Sequence, residues 1–234
     1  MSDRYPIPRH VRIAIVVGST RPNRWAGTVA EWVHQVATCD SVAGEGVTFA
    51  VVDLSDYQLP LLDEPQPAAV GSYYRSHTRD WAEVVDSFGG FVFVMPEYNH
   101  SVPAALKNAI DYLFVEWHDK AAGFVSYGLD GGVRAVEHVR LALAEVRVAC
   151  VRSQVALTLA TDFDTSSTSE SRVPTPRGHQ EHMLQRTLHE VVAWAQALQP
   201  LRTQRAVGAA RSAATGAQHE HGNLEPSSVG QGRA

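Results

Sequence analysis

Five short apolar runs alternating with amphipathic stretches constrain what this chain can fold into more than any other feature. Val11-Arg12-Ile13-Ala14-Ile15-Val16-Val17 opens the series. It is β-branched, almost continuously apolar and stopped by Gly18, the pattern of a strand buried on both faces. Residues 47–54, 91–95 and 121–127 repeat the pattern, and 148–151 begins a fifth strand that resumes over 155–159. Between them lie stretches with helical spacing. One starts near Ala26 and carries Val29, Trp32, Val33 and Val36, and another covers 78–86. A third opens near Ser101 or Val102 with Pro103 in its first turn and carries Leu106, Ile110, Leu113 and Phe114. The fourth covers 131–145 and the fifth 179–198.

Strands that are apolar throughout and separated by helices predict an α/β fold, an open parallel sheet covered by helices on both faces. Five strands suit the flavodoxin-like order 2-1-3-4-5, a three-layer sandwich whose ligands bind beyond the carboxyl ends of the strands. The 234 residues are 44% apolar and 19% charged, enough for one core without metal or disulfide help. The expected organisation is an N-terminal extension over residues 1–9, one domain over 10–200 and a disordered tail over 203–234. The tail reading rests on Ala, Gly, Ser and Gln replacing larger apolar residues. The polar stretch Thr165-Ser166-Ser167-Thr168-Ser169 reads as a mobile loop.

Charge and cysteine content narrow the partners. A net charge of −5 argues against nucleic acid, which would normally leave a basic footprint. The two cysteines, Cys39 and Cys150, match no metal or redox spacing and read as reduced thiols. No run approaches the roughly 18 apolar residues of a membrane span, and residues 1–6 hold no apolar stretch of signal-peptide length. The expected location is the cytoplasm, with no membrane contact. His179-Gln180-Glu181-His182 and His219-Glu220-His221 lack further ligands nearby, so no metal is expected.

Three loops at the carboxyl side of the sheet carry unusual residues, after the first, third and fourth strands. In the order 2-1-3-4-5 those strands are neighbours, so the loops converge on one crevice. The first, Gly18-Ser19-Thr20-Arg21-Pro22-Asn23-Arg24-Trp25, offers hydroxyls, backbone N–H groups at a helix start and two guanidiniums, a set suited to a phosphate monoester. An ordinary solvated turn with incidental arginines is the competing reading. Neither a G-x-G-x-x-G fingerprint nor a Walker loop is present. The second, Pro96-Glu97-Tyr98-Asn99-His100-Ser101-Val102-Pro103, is stiffened by prolines and sets an aromatic ring and peptide planes where a flat heteroaromatic ligand could lie. Its alternative is a simple helix cap by Ser101 or Asn99. The third, Ser126-Tyr127-Gly128-Leu129-Asp130-Gly131-Gly132, has glycines that permit positive φ. A serine-hydrolase elbow would need Gly at 124, where Phe stands. Arg134, Glu137, His138 and Arg140 read as a solvated helix face, and Trp117, His118 and Lys120 as a pocket wall or subunit interface.

The runs Gly18-Ser19-Thr20-Arg21-Pro22, Pro96-Glu97-Tyr98-Asn99-His100-Ser101 leading into Leu106-Lys107-Asn108-Ala109-Ile110-Asp111, and Gly123-Phe124-Val125-Ser126-Tyr127-Gly128 with Gly131-Gly132 resemble the NADPH-dependent FMN reductase family over about residues 10–200. The resemblance implies a flavodoxin-like fold, non-covalently bound FMN, and a homodimer or dimer of dimers that reduces a small acceptor with NADPH or NADH. By position, Ser19, Arg21, Arg24 and Trp25 would surround the FMN phosphate, and Pro96, Glu97, Tyr98 and Asn99 would contact the isoalloxazine ring. Ser126, Tyr127, Gly128 and Gly131 would line its other edge. Tyr98, His100 and Tyr127 are the substrate-contact candidates, and the resemblance requires no side-chain general base, because the flavin N5 carries the hydride. Many members have Ser where Arg24 stands, Asn where Ala26 stands, and Pro-Gly where this chain has Pro103-Ala104. An electron-transfer flavodoxin or a non-catalytic FMN-binding domain is the alternative class.

Overall fold

The computed structural model describes residues 10–39, 42, 44–164 and 174–220. The extension 1–9, the polar stretch 165–169 and residues 221–234 lie outside them. Five strands, β1 (Val11–Val17), β2 (Val47–Asp53), β3 (Gly90–Pro96), β4 (Lys120–Gly128) and β5 (Val148–Thr158), form one parallel sheet in the order β2-β1-β3-β4-β5. The helices are α1 (Ala26–Ala37), α2 (Ser76–Asp86), α3 (Ala104–Asp111), α4 (Val133–Glu145) and α5 (Gly178–Glu220).

Side chains alternate across the sheet because successive residues of a strand point to opposite faces. In β1, Ile13, Ile15 and Val17 face α1 and α5, while Ala14 and Val16 face α2, α3 and α4. β3 is buried along its whole length and places Phe91, Phe93 and Met95 in the second layer. Helix α5 closes the first layer through Leu184, Leu188, Val191 and Ala195.

Four differences from the sequence reading have physical causes. β5 is one continuous strand of 11 residues. The polar run Arg152-Ser153-Gln154 that divided it in the sequence sits on an edge strand. There Glu190 accepts from the Ser153 N–H and hydroxyl, and Arg140 donates to the Val151 carbonyl and the Gln154 side chain. α3 begins at Ala104, after Pro103, because the residues before it form a separate tight turn. β2 stops at Asp53, whose carboxylate accepts from the Ser55 N–H and opens a 3-10 turn at Leu54–Asp56.

The fourth concerns the carboxyl end. Contacts divide the chain into a unit of residues 1–199 and a second of 200–234. Residues 203–220, expected in a disordered tail, are helical as part of α5. Low apolar content removes a reason to pack, but Ala has the highest helix propensity, and elongating an existing helix avoids the cost of nucleation. Pro200 lies within this helix, where it withholds one backbone donor.

Candidate functional site

The three loops do meet at the carboxyl end of the sheet, joined by hydrogen bonds between residues far apart in sequence. Ser19 is buried, and its Oγ is 2.8 Å from the Tyr98 hydroxyl. The Glu97 N–H donates to the Tyr127 carbonyl at 3.0 Å, continuing the β3–β4 ladder into the loops. Glu97 also takes two bonds from the start of α4, from Arg134 Nε at 2.8 Å and from the Arg134 N–H at 3.2 Å. Arg134 reaches Asp130 with its remaining arm at 2.8 Å.

In the first loop, α1 starts at Ala26 with Trp25 as its N-cap and no side-chain cap from that residue; the Ala26 N–H meets the Tyr127 hydroxyl instead. Asn23 adopts φ 55° and turns the chain into the helix. The Arg21 guanidinium lies over the Tyr98 ring, 5.8 Å from its centroid. Arg24 differs from the expected free phosphate ligand. Its Nη2 is engaged by Asp53 and by Ser55 Oγ at 2.9 Å, which ties the loop to the end of β2, and its Nε is buried with no partner among the described residues. A buried donor without an acceptor costs roughly 1–3 kcal/mol unless a ligand or water meets it.

Tyr127 is 5% exposed, and its ring packs against Phe163 at 5.9 Å. Burial raises its phenol well above the ordinary value, opposed by Arg21, Arg24 and the Ala26 N–H. The hydroxyl therefore belongs to the α1 end of the crevice. Phe163 also contacts Trp25, with ring centroids 5.0 Å apart, so Trp25 is part of an aromatic wall. Ser126 is fully buried, and its hydroxyl donates to the Gly131 carbonyl at 2.7 Å, so it shapes the third loop.

The second loop is a two-residue hairpin. Tyr98 and Ser101 exchange both backbone hydrogen bonds, at 3.1 and 3.0 Å, around Asn99 (φ 47°) and His100 (φ 71°). Positive φ at both central positions is the type I′ pattern, natural for Asn and costly for His. The N–H groups of Glu97 and Tyr98 are thus occupied, whereas those of Asn99 and His100 take no partner among the described residues. Ser101 Oγ lies 2.9 Å from His138 Nδ1, so this helix-face histidine braces the hairpin. In the third loop Gly131 and Gly132 have φ 75° and 71°, and a Cβ at either would stand 2.8 Å from Ala156 Cβ or the Tyr127 carbonyl. Only glycine fits there.

The Trp117, His118 and Lys120 reading is corrected by position. All three are buried at the amino end of β4, and the eight steps from Lys120 to Gly128 span roughly 26 Å of strand. Lys120 Nζ donates to the Val85 carbonyl at 2.7 Å. Sequence reasoning missed Asp53, Arg134 and His138. Asp53 carried a signal in Asp53-x-Ser55 at a strand end, and Arg134 and His138 share one helix face four residues apart. Cys39 and Cys150 are unpaired, and burial pushes the Cys150 thiol up to about 11.

An open parallel sheet with an uncapped helix start, two arginines and buried hydroxyls at its carboxyl end defines a flavodoxin-like protein built for a phosphate-bearing cofactor. The family model of NADPH-dependent FMN reductases matches residues 11–162. An NAD(P)H-dependent FMN reductase of Nectria sp, ntnL, is 37% identical over 128 residues, covering 53% of this chain and 63% of the relative. The NAD(P)H-dependent FMN reductase LOT6 of Saccharomyces cerevisiae is 35% identical over 182 residues, 75% of this chain and 94% of the relative. FerB of Paracoccus denitrificans, a flavoenzyme NAD(P)H:(acceptor) oxidoreductase, shares the fold with a TM-score of 0.60 at 18% identity, covering 80% of this chain and 98% of FerB. The chain belongs to the NADPH-dependent FMN reductase family. It is an oxidoreductase of the FMN and NAD(P)H type.

Proposed function

We propose that this protein holds FMN with its phosphate at the 18–25 loop and passes reducing equivalents from NADPH or NADH to a small acceptor: a quinone, a flavin, an azo compound or a biosynthetic intermediate. The observation that carries the reading is the first loop. The uncapped α1 start, the partnerless Arg24 Nε, the Arg21 guanidinium and the Ser19 and Tyr98 hydroxyls gather donors there. Such a set suits a dianionic phosphate.

Bound FMN supplies the hydride chemistry at its N5. The protein's part is to hold and orient. Arg21 and the α1 N–H groups bind the phosphate, and Arg24, fixed by Asp53 and Ser55, sets the loop and offers its Nε. The Tyr98–Ser101 hairpin would offer the Asn99 and His100 N–H groups to the ring edge, and the Gly128–Gly132 turn would let backbone approach it. Arg134 fixes the Glu97 carboxylate at the start of α4. No side chain serves as a general base. NAD(P)H and the acceptor use one opening in turn, a ping-pong order, with exposed His100 at its rim.

The proposal extends to a homodimer or dimer of dimers in the cytoplasm. Leu61 (83% exposed), Leu129 (81%) and Leu141 (74%) offer apolar contacts near the site loops and on α4. No helix among the described residues is long and apolar enough to cross a membrane. Light scattering on the purified protein should give twice or four times the 25.5 kDa chain mass, and a monomer contradicts the assembly.

Anaerobic addition of NADPH, then NADH, to the FMN-loaded protein tests the activity. Rapid loss of the flavin colour, restored by quinone, is expected. Failure to take up FMN, or a flavin that neither nucleotide bleaches, contradicts it.

A further inference from the structure

A side-chain hydrogen bond joins the first loop to the second. Ser19 Oγ, in the loop read as the phosphate cradle, lies 2.8 Å from the hydroxyl of Tyr98, 79 residues further on, in the hairpin read as the support of the ring. We propose that this hydroxyl pair couples the two halves of the site: a phosphate at the 18–25 loop fixes the direction of the Ser19–Tyr98 bond, and the hairpin held by that bond then binds the flavin ring more tightly. Tyr98 is thus a positioning residue that acts through Ser19. The inference rests on the FMN reading above and adds a connection between its two contacts.

The argument starts from counting protons. A hydroxyl has one proton to donate and two lone pairs with which to accept. Ser19 is 1% exposed, and its Oγ also accepts the Arg21 N–H in a long bond of 3.4 Å. Without an anion, the Ser19–Tyr98 bond is satisfied with either hydroxyl as the donor. A phosphate dianion only accepts. To bond it, Ser19 spends its one proton on the phosphate, and its remaining lone pair must then accept from Tyr98. The bonds now run from Tyr98 to Ser19 to phosphate, all in one direction, and hydrogen bonds aligned in series polarise and strengthen one another.

Tyr98 passes the constraint to the ring side because its backbone closes the hairpin. Its N–H donates to the Ser101 carbonyl at 3.1 Å, and its carbonyl accepts from the Ser101 N–H at 3.0 Å. Asn99 and His100, at positive φ between them, move with Tyr98 as one unit, and Ser101 Oγ ties the other side of the turn to His138. The base of the linkage has no slack. The Gly18 N–H donates to the Val94 carbonyl at 2.8 Å, and a Cβ at Gly18 would stand 3.0 Å from Leu106 Cδ2 and 3.2 Å from the Val94 oxygen. β1 and β3 therefore deliver Ser19 and Tyr98 at a set spacing, and what the bond between them leaves open is its direction.

The Arg21 guanidinium over the Tyr98 ring is a second link between the same two loops. A cation over an aromatic face is attracted by the ring and not by the hydroxyl, so phenylalanine keeps this contact and loses the hydrogen bond. Tyr98→Phe therefore isolates the hydroxyl pair, and Ser19→Ala removes it from the other end. Coupling between two sites is reciprocal in binding free energy, so whatever factor phosphate adds to the affinity for the ring, the ring adds to the affinity for phosphate.

Lumiflavin, an isoalloxazine ring without the ribityl chain, provides the test. Nothing on it extends from the ring to the first loop, so any effect of phosphate on its binding passes through the protein. Its affinity for the apoprotein is read by fluorescence quenching in inorganic phosphate and in sodium chloride of equal ionic strength. Wild type, Tyr98→Phe, Ser19→Ala and the double variant are compared, with thermal melts to show that each is folded. In wild type, phosphate should tighten lumiflavin binding about fivefold or more, the lower end of ordinary coupling between sites. In either single variant the factor should fall below about twofold, and the double variant should lose no more, because both changes remove one bond. Lumiflavin affinity that phosphate leaves unchanged in wild type, an absence of binding in both salts included, overturns the coupling. A phosphate effect that survives in either single variant overturns it too. A wild-type protein that takes up no FMN would instead overturn the FMN reading itself.

Discussion

The two ends of the sheet both bury polar side chains, but they treat them in opposite ways. At the amino end, Lys120 is fully buried with its ammonium on the Val85 and Asp86 carbonyls, Trp117 Nε1 donates to the Ile110 carbonyl, and Asp119 pairs with Arg147. Each of these three groups is met by the protein itself. At the carboxyl end, α1 starts without a side-chain cap, Arg24 Nε is buried with no partner among the described residues, and the Arg21 guanidinium lies over the Tyr98 ring with no ion pair or hydrogen bond among them. Buried polar groups are normally satisfied, so a cluster of spare donors at one end marks where a ligand belongs. The closed end holds the fold, and the open end is poised for an anion.

Mutations should therefore separate stability from cofactor affinity. The largest effect is expected at the closed end: Lys120→Ala strands two carbonyls and leaves a cavity, and it should cost about 3 kcal/mol in urea unfolding. FMN affinity of the folded fraction should be unchanged, and a large loss there would erase the distinction between the ends. At the open end, Arg21→Ala should weaken FMN binding by roughly 10- to 100-fold, the scale of a charged hydrogen bond, with the apoprotein melt unaltered. Flavin fluorescence quenching reads the first quantity and calorimetry the second.

A smaller effect is expected at Asp162, which is fully buried behind the aromatic wall. Burial alone would raise its carboxyl, but the Thr158 N–H, the Gln180 amide and Arg177 together hold it below the ordinary value of 3.8. A lowered folded-state value stabilises the protein fully above the unfolded value and is lost as pH falls through the folded one. Asp162→Asn should cost about 1–2 kcal/mol at neutral pH and flatten the loss of stability below about pH 4. The smallest shift is expected for His138→Ala, which removes the brace on the hairpin. It should raise KM for the acceptor a few-fold and leave FMN binding alone, and unchanged steady-state kinetics would show that the Ser101–His138 bond does not position the turn.

Much of the fold could be read because buried parallel strands leave short, continuous apolar runs bounded by turn residues: β1, β3 and β4 fall within a residue of their expected limits. Edge positions were harder. β5 carries Arg152-Ser153-Gln154 in mid-strand because an edge has room for polar partners that sequence does not reveal. The helix beyond residue 202 was hidden for a different reason, since composition reports the capacity to pack and not helix propensity. For the site, the loops were legible and the bonds between them were not. Glu97 and Arg134 are 37 residues apart, and Arg24 and Asp53 are 29 apart, so neither pairing has a local signal. Ser126 shows the converse, since a chemistry-bearing residue at the end of a buried strand can be spent on holding the turn.

The phosphate is the element on which the account turns, and riboflavin, which lacks it, isolates it. The affinities of wild type and Arg21→Ala for FMN and for riboflavin form one double-difference measurement. Wild type should prefer FMN by about 100-fold or more, and the preference should fall to about tenfold or less in Arg21→Ala, with riboflavin binding itself little changed. An FMN-to-riboflavin ratio that Arg21→Ala leaves intact would contradict the placement of the phosphate at the first loop.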